Sequence, residues 1–187
     1  MPIVSSLSRA RKYYYDELTR RNLKLTSIVG NHVIPYRNTL SLNALDLLLN
    51  EYTNVTNISE PKEVVFDNTK IVLVPWICDD NQEQTMKLLE TTDAQIVFGH
   101  LELGGFEMYK GVVADGHTDT ELFSKFDVVC SGHYHHRSND DDIYYLGNPY
   151  ELTWQDYNDS RGFHILDLDA DTLEFIANPN RMFFRIV

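Results

Sequence analysis

Cysteine is scarce in this sequence: only Cys78 and Cys130 occur, both in apolar surroundings and without CxxC spacing. That argues against a disulfide framework or a zinc knuckle and leaves two reduced, buried thiols as the expectation. Long apolar runs are missing as well, none approaching the roughly 18 residues that a membrane span needs. The stretch Met1 to Arg11 has no apolar core of the kind that marks a secretory signal, so a soluble, intracellular protein is expected. Positive charge is in short supply: 16 Lys and Arg stand against 28 Asp and Glu, a net charge of −12. Such a chain does not hold nucleic acid by a general basic field.

What is present suits one mixed α/β domain. A length of 187 residues with 43% hydrophobic and 24% charged side chains can bury a sizeable core. The charge is uneven, because residues 1–24 carry six basic and two acidic side chains. Arg9, Arg11, Lys12, Arg20, Arg21 and Lys24 form either a solvated helix face, the plainer reading, or a basic patch.

Apolar spacing predicts a helix over Ser5–Asn22 with Leu7, Tyr14, Tyr15 and Leu18 on one face. A short strand follows over Leu23–Val29. Ser41 reads as the cap of a second helix reaching Asn50, with Leu42, Leu45, Leu48 and Leu49 buried. Strands are expected over Glu63–Phe66 and Ile71–Val74, turned by Asp67-Asn68, then a polar helix from Asp79 or Asp80 through Leu89. Ala94–Phe98 and Asp127–Cys130 read as buried strands, Leu101–His117 as a long glycine-rich loop and Thr118–Phe126 as a short helix. A loop of that length is uncommon unless it has a function. Ile143–Leu146, Phe163–Leu168 and Leu173–Ile176 are expected to form a further sheet.

Three apolar strands end alike. Ser27-Ile28-Val29 runs into Gly30-Asn31-His32, Ile96-Val97-Phe98 into Gly99-His100, and Val128-Val129-Cys130 into Ser131-Gly132-His133-Tyr134-His135. Ligands gather at the C-terminal ends of strands in α/β sheets, and a glycine ahead of the polar residue is expected to let the chain turn there. If the strands are parallel neighbours, the imidazoles of His32, His100, His133 and His135 converge with the Asn31 amide. That donor set suits manganese, iron or zinc. His117, His136 and His164 are read as ordinary loop or strand histidines. The D-x-H spacing of Asp115-Gly116-His117 sits in a polar loop and is read as coincidence.

These stretches resemble the calcineurin-like metallophosphoesterases, specifically the SbcD-type nucleases, with the strongest likeness to the recombination endonuclease subunits of T4-like phages. The matching segments are Ile28–Arg37, Val74–Asp79, Phe98–Phe106, Ser131–His136 and Tyr145–Asp167. The resemblance implies an α/β fold, a β-sandwich flanked by helices. It also implies a site with two divalent metals, manganese foremost. By the family pattern Asn31, His100 and His133 are ligands of one metal and His135 a ligand of the other. His32 is the catalytic residue, stabilising the transition state or protonating the leaving oxygen. Two cations neutralise the phosphodiester and activate water. The partners implied are DNA, an SbcC-type SMC-like ATPase and a second copy of the subunit, in the host cytoplasm if the gene is a phage's.

Two departures stand beside that pattern. The family's D-x-H and G-D-x-x-D motifs do not precede Met1, so residues 1–187 read as the C-terminal part of the nuclease domain. A strand–helix–strand unit of about 30 residues is then lacking. A complementing N-terminal polypeptide and an exposed apolar sheet edge are expected to go with it. The Asn-His pair is followed by Val33 where the family has Asp, and Val cannot hydrogen-bond His32. The expected function is a subunit of a metal-dependent DNA exonuclease or endonuclease in recombination and repair. The alternatives are a catalytically inactive or structural subunit that keeps a partner surface, and a phosphatase or small-phosphodiester hydrolase.

Overall fold

The computed structural model describes residues 2–116 and 118–186. The chain opens with α1 (Pro2–Ala10), widens into a π-turn over Arg11–Tyr15 and resumes as α2 (Asp16–Arg20). Tyr14, one of the aromatic residues that marked this helix, is exposed. The helix is held instead through Tyr15 against Tyr52, ring centroids 5.4 Å apart, with the Tyr52 hydroxyl donating to Asp16 at 2.8 Å. Of the basic residues, Arg11 pairs with Glu51 and Arg20 and Arg21 pair with Glu17.

β1 (Leu25–Ile28) runs parallel to β2 (Val55–Ile58). Sequence pattern did not announce β2, because Thr56 and Asn57 interrupt the apolar residues at its two ends. Between the two strands lies α3 (Ala44–Leu49), capped by Asn43 rather than Ser41: Asn43 Oδ1 accepts from the Asp46 amide at 2.9 Å. A helix this short buries Leu49, half-buries Leu45 and leaves Leu42 and Leu48 exposed.

The hairpin of β3 (Lys62–Phe66) and β4 (Thr69–Val74) turns at Asp67 and Asn68, both in the left-handed region at φ 45° and 68°. Next, α4 (Gln82–Thr91) starts after Asn81, whose side chain accepts from the Cys78 amide and donates to the Trp76 carbonyl. That holds residues 76–81 outside the helix and delays its start past Asp79 and Asp80. β5 (Ile96–Gly99) leads into the stretch expected to be loop, which contains a small hairpin of β6 (Glu107–Tyr109) and β7 (Val112–Val113). The helix expected over Thr118–Phe126 is a 3-10 turn over Thr120–Phe123.

β8 (Val128–Ser131), β9 (Ser138–Asp140) and β10 (Ile143–Tyr145) complete a six-stranded sheet ordered β3-β4-β5-β8-β10-β9. β4, β5, β8 and β10 are parallel. The expectation that residues 143–146 belong to a further sheet is corrected here, since β10 pairs with β8 and buries Tyr145 completely. β9, too polar to be expected, forms the antiparallel edge. Of the strands expected in that further sheet, β11 (Gly162–Asp167) and β12 (Thr172–Ala177) do stand apart, as a hairpin.

Alternation along the strands builds a core on each face of the sheet. Val72, Val74, Val97 and Val129 point to the face covered by Leu89 of α4, Phe123 and Phe126. Ile71, Leu73, Ile96 and Phe98 point to the other, where Ile28, Ile58 and Leu166 pack. Cys78 and Cys130 are free and buried, and burial pushes the Cys130 thiol up to about 12. No helix among the described residues is long and apolar enough to cross a membrane.

Candidate metal centre

Register is what brings the histidines together. Val74 pairs with Gly99, Gly99 with Ser131, and Ser131 with Tyr145, so four parallel strands end on one row. The chain leaves β4 at Trp76, β5 at His100 and β8 at His133. Backbone bonds extend the row past its end, His100 N–H to the Val74 carbonyl at 3.0 Å and Gly132 N–H to the Gly99 carbonyl at 3.2 Å. β1 is not a neighbour in this sheet. Its end is tied in by the Trp76 amide, which donates to the Val29 carbonyl at 2.8 Å, and this sets Asn31 against His100.

Asn31 Oδ1 lies 2.9 Å from His100 Nε2, and His133 Nδ1 lies 3.1 Å from that same nitrogen. A neutral imidazole nitrogen has either one proton or one lone pair in the ring plane, so it satisfies one such neighbour and not two. Each of these two separations is also close to that between adjacent ligands held at right angles around one cation at about 2.1 Å. The residues present therefore fit a divalent metal. Burial is the main cause that drives the His100 pKa down to about 3, with His133, His32 and His135 adding to it. Burial also lowers His133, opposed by Glu102 and reinforced by His32 and His135. Both rings are therefore neutral at physiological pH and keep their lone pairs for a cation.

His135 does not join that cluster. Its ring faces His32, with centroids 6.5 Å apart, and burial lowers its pKa against the pull of Asp156. Between the two histidines of the pair, Tyr134 turns inward. It stacks on Tyr145 at 4.5 Å and donates to the Leu103 carbonyl at 2.9 Å, which fixes its neighbours facing outward. His32 is exposed and, among the described residues, makes no hydrogen bond. Val33 packs with Val29, Leu40 and Cys78.

Gly30 and Gly99 act by space rather than by unusual dihedrals, which corrects the expectation of a sharp turn. None of Gly30, Gly99 and Gly132 has a positive φ. A Cβ on Gly30 would lie 2.7 Å from His100 Cε1, and one on Gly132 would meet nothing within 4 Å.

Sequence reasoning missed the support behind His135. The Arg161 guanidinium, buried, donates to the His135 carbonyl, to Asp156 at 2.7 Å and to Asp159 at 2.8 Å. His136, read as an ordinary histidine, lies with Nδ1 2.7 Å from Asp159 and Nε2 3.3 Å from Glu107. The available signal was a run of Asp and Arg inside an otherwise uncharged stretch, but pairing over 20 or more residues leaves no local pattern. His164 lies in β11, as expected. Asp115 is exposed, and His117 lies outside the described residues. Two cavities meet at His100. One of about 500 Å³ is lined by Trp76, Asp79, Glu102 and Asp119. The other, about 440 Å³, is lined by Thr26, Ile28, Phe66, Phe98 and Leu146.

No protein-family model matches the chain. It is similar to Exonuclease subunit 1 of Enterobacteria phage T4, with 37% identity over 164 residues. That match takes in 88% of this chain and 48% of the phage protein, so the chain spans about half the length of the curated relative it matches. The likeness supports a phage nuclease-related family.

Proposed function

We propose that this chain is a subunit of a metal-dependent nuclease of the calcineurin-like, SbcD type that hydrolyses phosphodiester bonds in DNA during recombination and repair. The observation that carries the reading is the crowding of Asn31 Oδ1 and His133 Nδ1 on the one nitrogen of His100. Asn31, His100 and His133 would hold one divalent cation, manganese by family analogy, and His135 would contribute to a second. Two such cations neutralise a phosphodiester and activate water. The chain's own residues would do the rest: burial keeps His100 neutral, and exposed His32 would give a proton to the leaving oxygen. The phage relative is named as a subunit, which supports action within a complex; an SbcC-type ATPase and a second copy are the partners proposed.

His135 alone cannot hold a metal well, and among the described residues no cluster of three such ligands includes it, so the second position would take further ligands. The free edge of β1 supports their arrival on a further strand. The amides of Leu25 and Val29 donate to β2, so by alternation those of Thr26 and Ile28 face away from it. They face the cavity that reaches His100.

The test is metal analysis of the purified chain, together with cleavage of linear DNA in manganese. One tight metal per chain is expected, with DNA cleavage once a strand-bearing N-terminal fragment completes the second position, and loss of that cleavage in His133→Ala. Two tight metals would show the site to be complete as it stands, and hydrolysis of small phosphodiesters alone would favour a phosphatase or phosphodiesterase. A second reading, a structural subunit without activity, is favoured by Val33, which is committed to an apolar cluster and gives His32 no hydrogen-bond partner. Metal binding without cleavage, even with a strand-bearing N-terminal fragment added, would establish it.

A further inference from the structure

The segment Tyr150–Arg161 is unlike the rest of this acidic chain. It holds three carboxylates, and all are turned inward and satisfied. Glu151 accepts from the Met182 and Phe183 amides at 2.6 and 2.9 Å and faces Arg181. Asp156 accepts from the Leu152 and Thr153 amides at 2.7 and 2.9 Å and from Arg161. Asp159 is shared between His136 and Arg161. What this segment presents to solvent is uncharged and aromatic. Trp154 is 65% exposed, Tyr150 48% and Tyr157 41%, with Gln155 and Asn158 exposed beside them.

The rings are held in place. Trp154 opens a 3-10 turn closed by a reciprocal capping box between Thr153 and Asp156. Its ring lies 4.8 Å from Phe183 and 6.3 Å from Tyr157, centroid to centroid. The turn is also keyed to the metal centre, because the one guanidinium of Arg161 bridges Asp156 and the His135 carbonyl. An exposed Trp on a turn tied through Arg161 to the backbone of His135 is an apolar surface that asks for a ligand.

We infer that Trp154 and Tyr157 form a stacking platform for unpaired bases of single-stranded DNA entering the site from the His135 side. The inference rests on the proposed DNA substrate. Every base has a π-face, so such a platform binds without regard to sequence. The inward pairing of Glu151, Asp156 and Asp159 removes the repulsion that a polyanion meets elsewhere on a chain of net charge −12. Arg185, exposed two residues beyond Phe183, adds a cation on the same stretch.

The test is fluorescence anisotropy of labelled oligo(dT), and of a blunt duplex of equal length, binding the full chain at one salt concentration in EDTA. Trp154→Ala and Tyr157→Ala are each expected to weaken oligo(dT) binding about 5- to 100-fold. Trp154→Phe should restore most of that affinity, and duplex binding should change little, since its bases are already stacked. Both rings are largely exposed, so melting temperatures should stay close to wild type; if Trp154→Ala melts early, Tyr157→Ala and Trp154→Phe carry the comparison. Unchanged oligo(dT) affinity in both alanine variants would overturn the platform and leave the DNA reading standing. Equal losses for oligo(dT) and duplex would overturn stacking as the cause. A wild-type chain that binds neither probe would overturn the DNA reading and the platform with it. Loss of binding to the ATPase subunit with DNA binding intact would assign the surface to a protein instead.

Discussion

Gly30 and His100 are packed backbone to ring: a Cβ added at residue 30 would fall 2.7 to 2.9 Å from three atoms of the imidazole. The smallest residue on one chain segment thus sets the position of a proposed metal ligand on another.

Gly30→Ala is expected to leave the fold intact and to push the His100 ring away from Asn31 and His133. Divalent-metal affinity should fall about 10- to 100-fold, the scale on which displaced supporting groups act. Calorimetric titration with manganese would measure it, and wild-type affinity in the variant would show that the contact does not position the ligand.

The hydroxyl of Tyr145 accepts from the Leu103 amide and donates to the Leu101 carbonyl, both at 2.9 Å and all buried. Tyr145→Phe would leave the Leu103 amide without a partner and the Leu101 carbonyl with only the Ser131 hydroxyl, at 3.2 Å, at a cost of about 1–3 kcal/mol. Urea unfolding should register it as a lower midpoint at unchanged slope, and an unshifted midpoint would mean that water replaces the hydroxyl.

Arg161→Met would strand Asp156 and Asp159 in a buried site, a loss of about 3–5 kcal/mol. Adding Asp156→Asn should recover part of it by removing one of the orphaned charges. If the two changes are simply additive in a double-mutant cycle, the guanidinium and carboxylate are not coupled.

His164 provides the pH dependence. Burial, with Arg137 adding to it, lowers its pKa below the usual value near 6.5; Phe175 lies 5.1 Å from its ring, and its Nδ1 is buried without a hydrogen bond. A depressed pKa means that the unfolded chain takes up this proton before the folded chain does. The contribution to stability is therefore complete above about pH 6.5 and fades as pH falls below it. His164→Phe should flatten that part of the melting-temperature profile and raise stability at acid pH. An identical profile in the variant would assign the acid loss to other groups.

Much of the central sheet could be read from the chain because its strands are continuous apolar runs, and an apolar run needs no partner to be recognised. β2 and β9 escaped notice because their pairing depends on neighbours rather than on their own residues, and Asn43 displaced Ser41 as a cap through one specific bond to Asp46. The candidate site was legible in the same uneven way. Repeated strand-end histidines pointed to Asn31, His100 and His133, but not to Arg161, Asp156 or Asp159, whose links to His135 and His136 join residues remote along the chain.

By itself the sequence determined which strands are apolar and that each ends in a polar ligand type, because those properties are local. Only the tertiary structure decided that Val74, Gly99 and Ser131 share one row, that Asn31 arrives from outside the sheet, and that His135 stands apart with His32. Register and long-range pairing made those choices, and they are properties of the packed molecule, set by which buried polar groups can be satisfied at once.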